Sequence, residues 1–83
     1  MIKIFSIFDV KADVYQQLFV MHTRAQAVRA FSDLANDKST DIGKHPEDFK
    51  LVCVGTFDTS TGEIVPEPQE NLGFASEWIS RKE

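Results

Sequence analysis

The sequence predicts an α+β domain, in which a small antiparallel sheet of three to four strands packs on one main helix. Residues 2–10 and 50–57 are apolar runs rich in β-forming residues. Residues 23–36 repeat apolar side chains at the three-and-four spacing of one helical face. Polar turn-forming segments separate these runs, and none is long enough to divide the chain. We therefore expect a single domain, 1–83, with a short C-terminal helix.

The first strand is predicted at residues 2–10, IKIFSIFDV. Alternation puts Phe8 on one face of this strand and Phe5 with Ile7 on the other. A strand that is apolar on both faces is typical of a central or helix-covered position. Residues 14–21, VYQQLFVM, are either a second strand or irregular extended chain, because two glutamines interrupt the alternation.

The main helix is predicted over residues 23–36. Thr23 and Gln26 have the T-x-x-Q spacing of a capping box, in which each side chain satisfies a free backbone N–H. The apolar stripe that follows consists of Ala27, Val28, Phe31, Leu34 and Ala35.

Residues 37–48, which contain the motif HPED, are predicted to form a polar loop. Pro46 fixes its own φ and favours an extended residue before it. Glu47 and Asp48 then suit the first turn of a short helix, because early acidic residues complement the helix dipole. Phe49 is expected to turn inward and to lead into the next strand.

Residues 50–57, KLVCVGTF, are predicted as a buried strand in which Gly55 marks a bulge or a close backbone neighbour. The cluster DTSTG at 58–62 predicts the turn of a β-hairpin. The partner strand is expected to stop at Pro66, and the following EPQEN segment is predicted as loop. The tail has the spacing of a short helix, ending at Arg81 and Lys82, where cations are favoured.

The charge balance argues against tight non-specific binding of nucleic acid. The net charge is −4, with thirteen acidic and nine basic residues, and the bases form no stripe along the chain.

The sequence also indicates the compartment of the protein. One cysteine cannot form an internal disulfide. The N-terminus lacks the apolar block of a signal peptide, and no stretch approaches the ~18 apolar residues of a membrane span. We expect a soluble, cytoplasmic protein with no membrane partner.

Neither catalysis nor a bound cofactor or metal is expected. His22, His45 and Cys53 lack the spacing of metal ligands. Cys53 lies in the middle of a predicted strand, so we interpret it as a small buried hydrophobe and not as a nucleophile activated by His45. Glu47 and Asp48 are adjacent, and adjacent carboxylates rarely face one cavity. Phosphate-binding glycine loops and nucleophile-elbow motifs do not occur.

Two kinds of binding remain as interpretations. Single-strand binders combine aromatic stacking platforms with nearby Lys or Arg. The candidates for nucleic-acid contact are Lys3, Lys11, Tyr15, Arg24 and Arg29. A plainer interpretation of the same composition is a core of phenylalanines with solvated bases. The alternative function is a homo-oligomeric adaptor without direct DNA contact, since a second copy could complete a thin core and cover Trp78.

Four segments, taken in order, resemble a known phage family. They are FSIFDVKA at 5–12, AVRAFSDLAND at 27–37, KHPEDFKL at 44–51, and GTFD at 55–58 with TG at 61–62. Over residues 3 to 65 the chain resembles the small nonstructural protein of gokushovirus-type microviruses, which are phages with circular single-stranded DNA. The resemblance implies a non-enzymatic, DNA-binding protein of the host cytoplasm that acts in single-strand synthesis and packaging. Its implied partners are single-stranded DNA and phage replication initiator or procapsid proteins.

Overall fold

A computed structural model describes residues 1–79 of the chain. Within this range, five strands form one antiparallel sheet and one main helix packs on it. The strands are β1 (Ile2–Asp9), β2 (Val14–Tyr15), β3 (Phe19–Met21), β4 (Phe49–Phe57) and β5 (Ile64–Phe74). The helices are α1 (Arg24–Ala35) and α2 (Asp41–Lys44), with 3₁₀ helices at Pro46–Asp48 and Ala75–Trp78. The antiparallel sheet and main helix fit the predicted α+β class, but the sheet is larger than the predicted three to four strands.

β1 is central in the sheet. It pairs with β4 on one side and with both β2 and β3 on the other. The predicted strand over residues 14–21 is therefore two short strands. The chain leaves the sheet edge between them, where the Ser6 hydroxyl donates to the Gln16 carbonyl oxygen at 2.8 Å. The central position explains why β1 is apolar on both faces.

β5 continues well beyond Pro66, so the prediction that the strand stops there and gives way to loop was wrong. β5 is the last strand in the sheet order, so only one of its edges forms hydrogen bonds with a neighbouring strand. An edge strand therefore tolerates proline, which lacks an N–H donor.

The pairing of β5 with β4 is irregular: Cys53 lies opposite Glu70 and Gly55 opposite Pro66. Val54 alone therefore stands against residues 67–69. The predicted irregularity at Gly55 is confirmed.

The core lies between α1 and the face of the sheet that carries Phe5. Its least exposed members, each at 1% or below, include Phe5, Ala27, Phe31, Ala35 and Leu51. α1 begins as its sequence predicts, because the Thr23 side chain accepts from the Gln26 N–H at 3.1 Å. The Gln26 side chain accepts in return from the His22 N–H, also at 3.1 Å.

The segment after α1 follows the predicted turn, with more helix than expected. α2 and the 3₁₀ helix Pro46–Asp48 occupy the end of the predicted loop, and Phe49 is buried.

Two further predictions concern Cys53 and the C-terminal helix. Cys53 is a core residue, 6% exposed. The C-terminal helix is a 3₁₀ helix whose Trp78 meets the ring of Phe31 edge-on at 5.9 Å. Its predicted continuation to Arg81 and Lys82 lies outside the described residues.

Candidate nucleic-acid interface

The two faces of the sheet differ in what covers them. α1 and α2 pack on the face of Phe5, through Phe31 and Ile42. The opposite face, here called the open face, carries Ile2, Ile4, Ser6 and Phe8 by the alternation of β1.

The centre of the open face is buried by the chain itself. Ile4, Ser6 and Val52 at its centre are only 3%, 1% and 2% exposed. Across it, Tyr15 on β2 donates from its hydroxyl to Oε1 of Gln69 on β5 at 2.7 Å. β2 and β5 are the two ends of the strand order, so this hydrogen bond joins the two edges of the sheet. The sheet must coil strongly for its edges to approach in this way.

A row of four side chains crosses the open face, one from each of β2, β1, β4 and β5. Strand register places Tyr15 opposite Phe8, Phe8 opposite Lys50, and Lys50 opposite Phe74. The rings of Tyr15 and Phe8 lie 4.6 Å apart at 51°. Lys50 Nζ lies 5.3 Å from the Phe8 ring centre and 6.0 Å from that of Phe74. We call these four residues the aromatic row.

The aromatic row combines two kinds of group that bind nucleotides. Aromatic rings stack on bases, and an ammonium contacts phosphate. Lys50 Nζ lies over the rings of Phe8 and Phe74, where cation–π attraction holds it. A phosphate bound by this ammonium would therefore lie beside the aromatic row. Tyr15 is 40% exposed, so part of its ring remains available.

Two of the five sequence-derived candidates lie at this end of the sheet. Tyr15 belongs to the aromatic row. Lys11 lies in the turn between β1 and β2, where the backbone N–H groups of Lys11 and Ala12 donate to Oδ1 of Asp9 at 3.0 and 3.1 Å. That turn is adjacent to the paired residues Phe8 and Tyr15.

The other three candidates lie on the α1 side of the sheet. Lys3 alternates with Phe5 along β1 and therefore shares the covered face. Arg24 and Arg29 are exposed residues of α1, and Arg24 forms an ion pair with Glu70 at 2.8 Å. The structure thus separates Tyr15 and Lys11 from Lys3, Arg24 and Arg29.

Sequence reasoning missed Lys50, Phe8 and Phe74 as binding candidates. The alternation of β4 gives a usable signal, because Lys50 stands between the buried residues Phe49 and Leu51 and must face the other way. Phe74 gives no such signal, since it joins the row only through the unpredicted length of β5.

An apolar groove of about 290 Å³ occupies the opposite end of the open face. Ile2, Ile4 and Phe57 line it together with the more exposed Leu18, Val20 and Ile64, and every residue that lines it is apolar. A groove of this composition suits an apolar surface and offers nothing to a phosphate.

Two further observations bear on what the chain binds. Within residues 1–79, no three His, Cys, Asp or Glu side chains are grouped in a way that could hold a metal ion. In the same range, every helix is too short or too polar to span a membrane.

Comparison with family models places the chain in a known family. The family model described as Phage ORF5 protein matches residues 2–78, which includes all five strands and both helices. No curated protein and no solved structure matches the chain. Because the family match covers nearly the whole sequence, the chain belongs to the Phage ORF5 protein family and is a bacteriophage protein.

Proposed function

We propose that this phage protein is a non-enzymatic accessory factor that binds single-stranded DNA during DNA synthesis and packaging. The observation that carries the proposal is the aromatic row, in which Lys50 lies beside the rings of Phe8 and Phe74 and Tyr15 packs on Phe8. The sequence resemblance to the nonstructural protein of gokushovirus-type microviruses supports the same role.

Stacking explains why the proposed ligand is single-stranded. A base can lie on an aromatic ring only when it has left the double helix, and each such contact is worth about 1–3 kcal/mol. Every base has a π-face, so the aromatic row requires no particular sequence. Lys50 and, at the same end of the sheet, Lys11 supply positive charge for the phosphates.

The net charge of −4 favours a local site over coating of the strand. An acidic chain gains little from bulk electrostatics and must concentrate its DNA contacts where cations and rings lie together. Such a protein also benefits from recruitment by a protein partner. We therefore place replication initiator or procapsid proteins of the phage among its partners, in the host cytoplasm.

Fluorescence anisotropy of a labelled oligothymidine at low salt tests the DNA site. We expect Tyr15→Ala and Lys50→Ala each to weaken binding by about ten-fold. Lys50→Ala should also reduce the slope of log K against log salt concentration by about 0.7, because one phosphate is no longer neutralised. Lys38→Ala is the matched control, because Lys38 is an exposed lysine in the turn after α1. Absence of binding by the wild type, or equal binding by all variants, would refute the proposal.

The apolar groove favours a second candidate, a homo-oligomeric adaptor whose groove is covered by a second copy of the chain. The edge of β5 is a poor surface for strand pairing, because Pro66 and Pro68 lack N–H donors and Glu67 carries charge. Pairing of two copies through the β5 edge is therefore disfavoured. Two chains of net charge −4 can meet at the groove without opposing acidic residues, because its lining is uncharged.

Sedimentation equilibrium distinguishes this candidate from a monomeric DNA-binding protein. If the groove is the interface, the wild type sediments as a dimer and Val20→Lys as a monomer. Val14→Lys is the control, since Val14 is 51% exposed against 48% for Val20 but does not line the groove. A wild type that remains monomeric at several hundred micromolar excludes the adaptor.

A further inference from the structure

We infer that Gln69 is the positioning residue of the DNA site. It holds the ring of Tyr15 against the ring of Phe8, and so fixes the orientation of the tyrosine at one end of the aromatic row. The inference rests on the proposed function, since it assigns Gln69 a role in that same site.

The Tyr15 ring needs a tether. Tyr15 lies on β2, a strand of only two residues, both exposed. An aromatic side chain at such an edge retains rotamer freedom, and ordering it on binding lowers affinity. The contact with Phe8 limits the ring on one side, and the hydrogen bond from its hydroxyl to Gln69 Oε1 at 2.7 Å limits its far end.

Gln69 reaches Tyr15 because β5 is irregular at this point. Residues 67–69 stand against the single residue Val54 of β4. Surplus residues of this kind bend a strand and re-aim side chains. Pro68 stiffens the segment, because proline fixes its own φ and restricts the residue before it. The irregularity of β5 therefore places the amide of Gln69 over the open face.

The hydrogen bond between Tyr15 and Gln69 joins residues 54 positions apart in sequence, and its function in the site is to order the Tyr15 ring. With Oε1 of Gln69 accepting from Tyr15, the tyrosine ring is held in place before DNA arrives. Pre-ordering of this kind strengthens binding without adding a contact to the ligand. Gln69 should thus affect affinity through Tyr15 and leave the number of phosphate contacts unchanged.

Gln69→Met tests this, since methionine keeps the length of the side chain and removes the hydrogen bond. We expect oligothymidine binding to weaken by about three- to ten-fold, with the salt dependence of log K unchanged. Tyr15→Phe should have the same effect, and the double variant should bind no more weakly than either single variant. Gln17→Met is the matched control, because Gln17 is an exposed glutamine of the β2–β3 connection.

The position of the ring is measured separately from DNA binding. Tyr15 is the sole tyrosine, so its ring-proton resonances are assigned without ambiguity. In the free wild type they should be shifted by the neighbouring Phe8 ring, and in Gln69→Met they should move toward values of an unstructured chain. Thermal unfolding of both proteins verifies that the fold is retained.

The outcomes distinguish the role of Gln69 from the existence of the DNA site. If Gln69→Met binds as tightly as the wild type, or more tightly, while Tyr15→Ala and Lys50→Ala bind weakly, the role of Gln69 is overturned and the DNA site stands. If Tyr15→Ala and Lys50→Ala also bind like the wild type, the proposed site itself is overturned, and the inference falls with it.

Discussion

Arg24 donates from Nε to Oε1 of Glu70 at 2.8 Å, and this ion pair joins the first turn of α1 to β5. The two side chains are 52% and 45% exposed, so water screens the pair and its contribution to stability is at most about 1 kcal/mol. The pair has a larger consequence for binding. One of the cations that the sequence offers to DNA already has a carboxylate partner on the α1 side of the sheet.

The two sides of the sheet can be compared directly as DNA-binding surfaces. We expect the double variant Arg24→Ala, Arg29→Ala to lose less affinity for single-stranded DNA than Lys50→Ala alone. The reason is that Lys50 lies among aromatic rings, whereas Arg24 is paired with Glu70. Anisotropy titrations at two salt concentrations measure the difference. A larger loss in the double variant would move the site to the α1 side, where Lys3 also lies.

The sequence predicts those elements that are formed by interactions between residues close together in the chain. Thr23 and Gln26 mark the start of α1 because the cap is made within three residues. Pro46 marks the turn before β4 for the same reason, since proline constrains its own φ and its neighbour. These predictions need no knowledge of the rest of the chain.

The length of β5 and the aromatic row depend on pairing between distant residues. Pro66 in isolation is a reason to end a strand, and only its position at a sheet edge makes it acceptable. Lys50 and Phe74 become neighbours through strand register, as do Phe8 and Lys50. A single sequence does not specify such register, so candidates for DNA contact that are identified by residue type lie on both sides of the sheet.

Gly55 is required by the close approach of β4 and β5. A Cβ at this position would lie 2.4 Å from the carbonyl oxygen of Val65, which belongs to the backbone and cannot swing away. We expect Gly55→Ala to lower the free energy of unfolding by about 1–3 kcal/mol in urea titrations. Gly62→Asn is the control: Gly62 has open space around it and a φ of 79°, which asparagine tolerates. Equal losses in both variants would contradict the steric explanation.

Cys53 should behave as a core residue toward thiol reagents. It is 6% exposed and its Sγ lies 3.9 Å from the carbonyl oxygen of Gly55. We expect Ellman's reagent to react with the native protein only through opening of the fold, so the rate should rise with urea in step with the unfolded fraction. The measurement is the absorbance of the released thiolate. Rapid reaction in native buffer, at the rate of a free thiol, would show that Cys53 is accessible and reopen its role as a nucleophile.

Asp58 links the stability of the β4–β5 hairpin to pH. The Ser60 N–H donates to Oδ1 of Asp58 at 2.9 Å and holds the pKa of this carboxyl below its ordinary value of 3.8. A pKa lowered by folding means that the stabilisation is complete above pH 3.8 and disappears as pH falls through the lowered value. We therefore expect Asp58→Ala to melt below the wild type at pH 7, with the difference shrinking below pH 3.8. Circular dichroism melts between neutral and acidic pH measure this, with Asp33→Ala on the exposed side of α1 as control, and a difference that stays constant with pH would rule the linkage out.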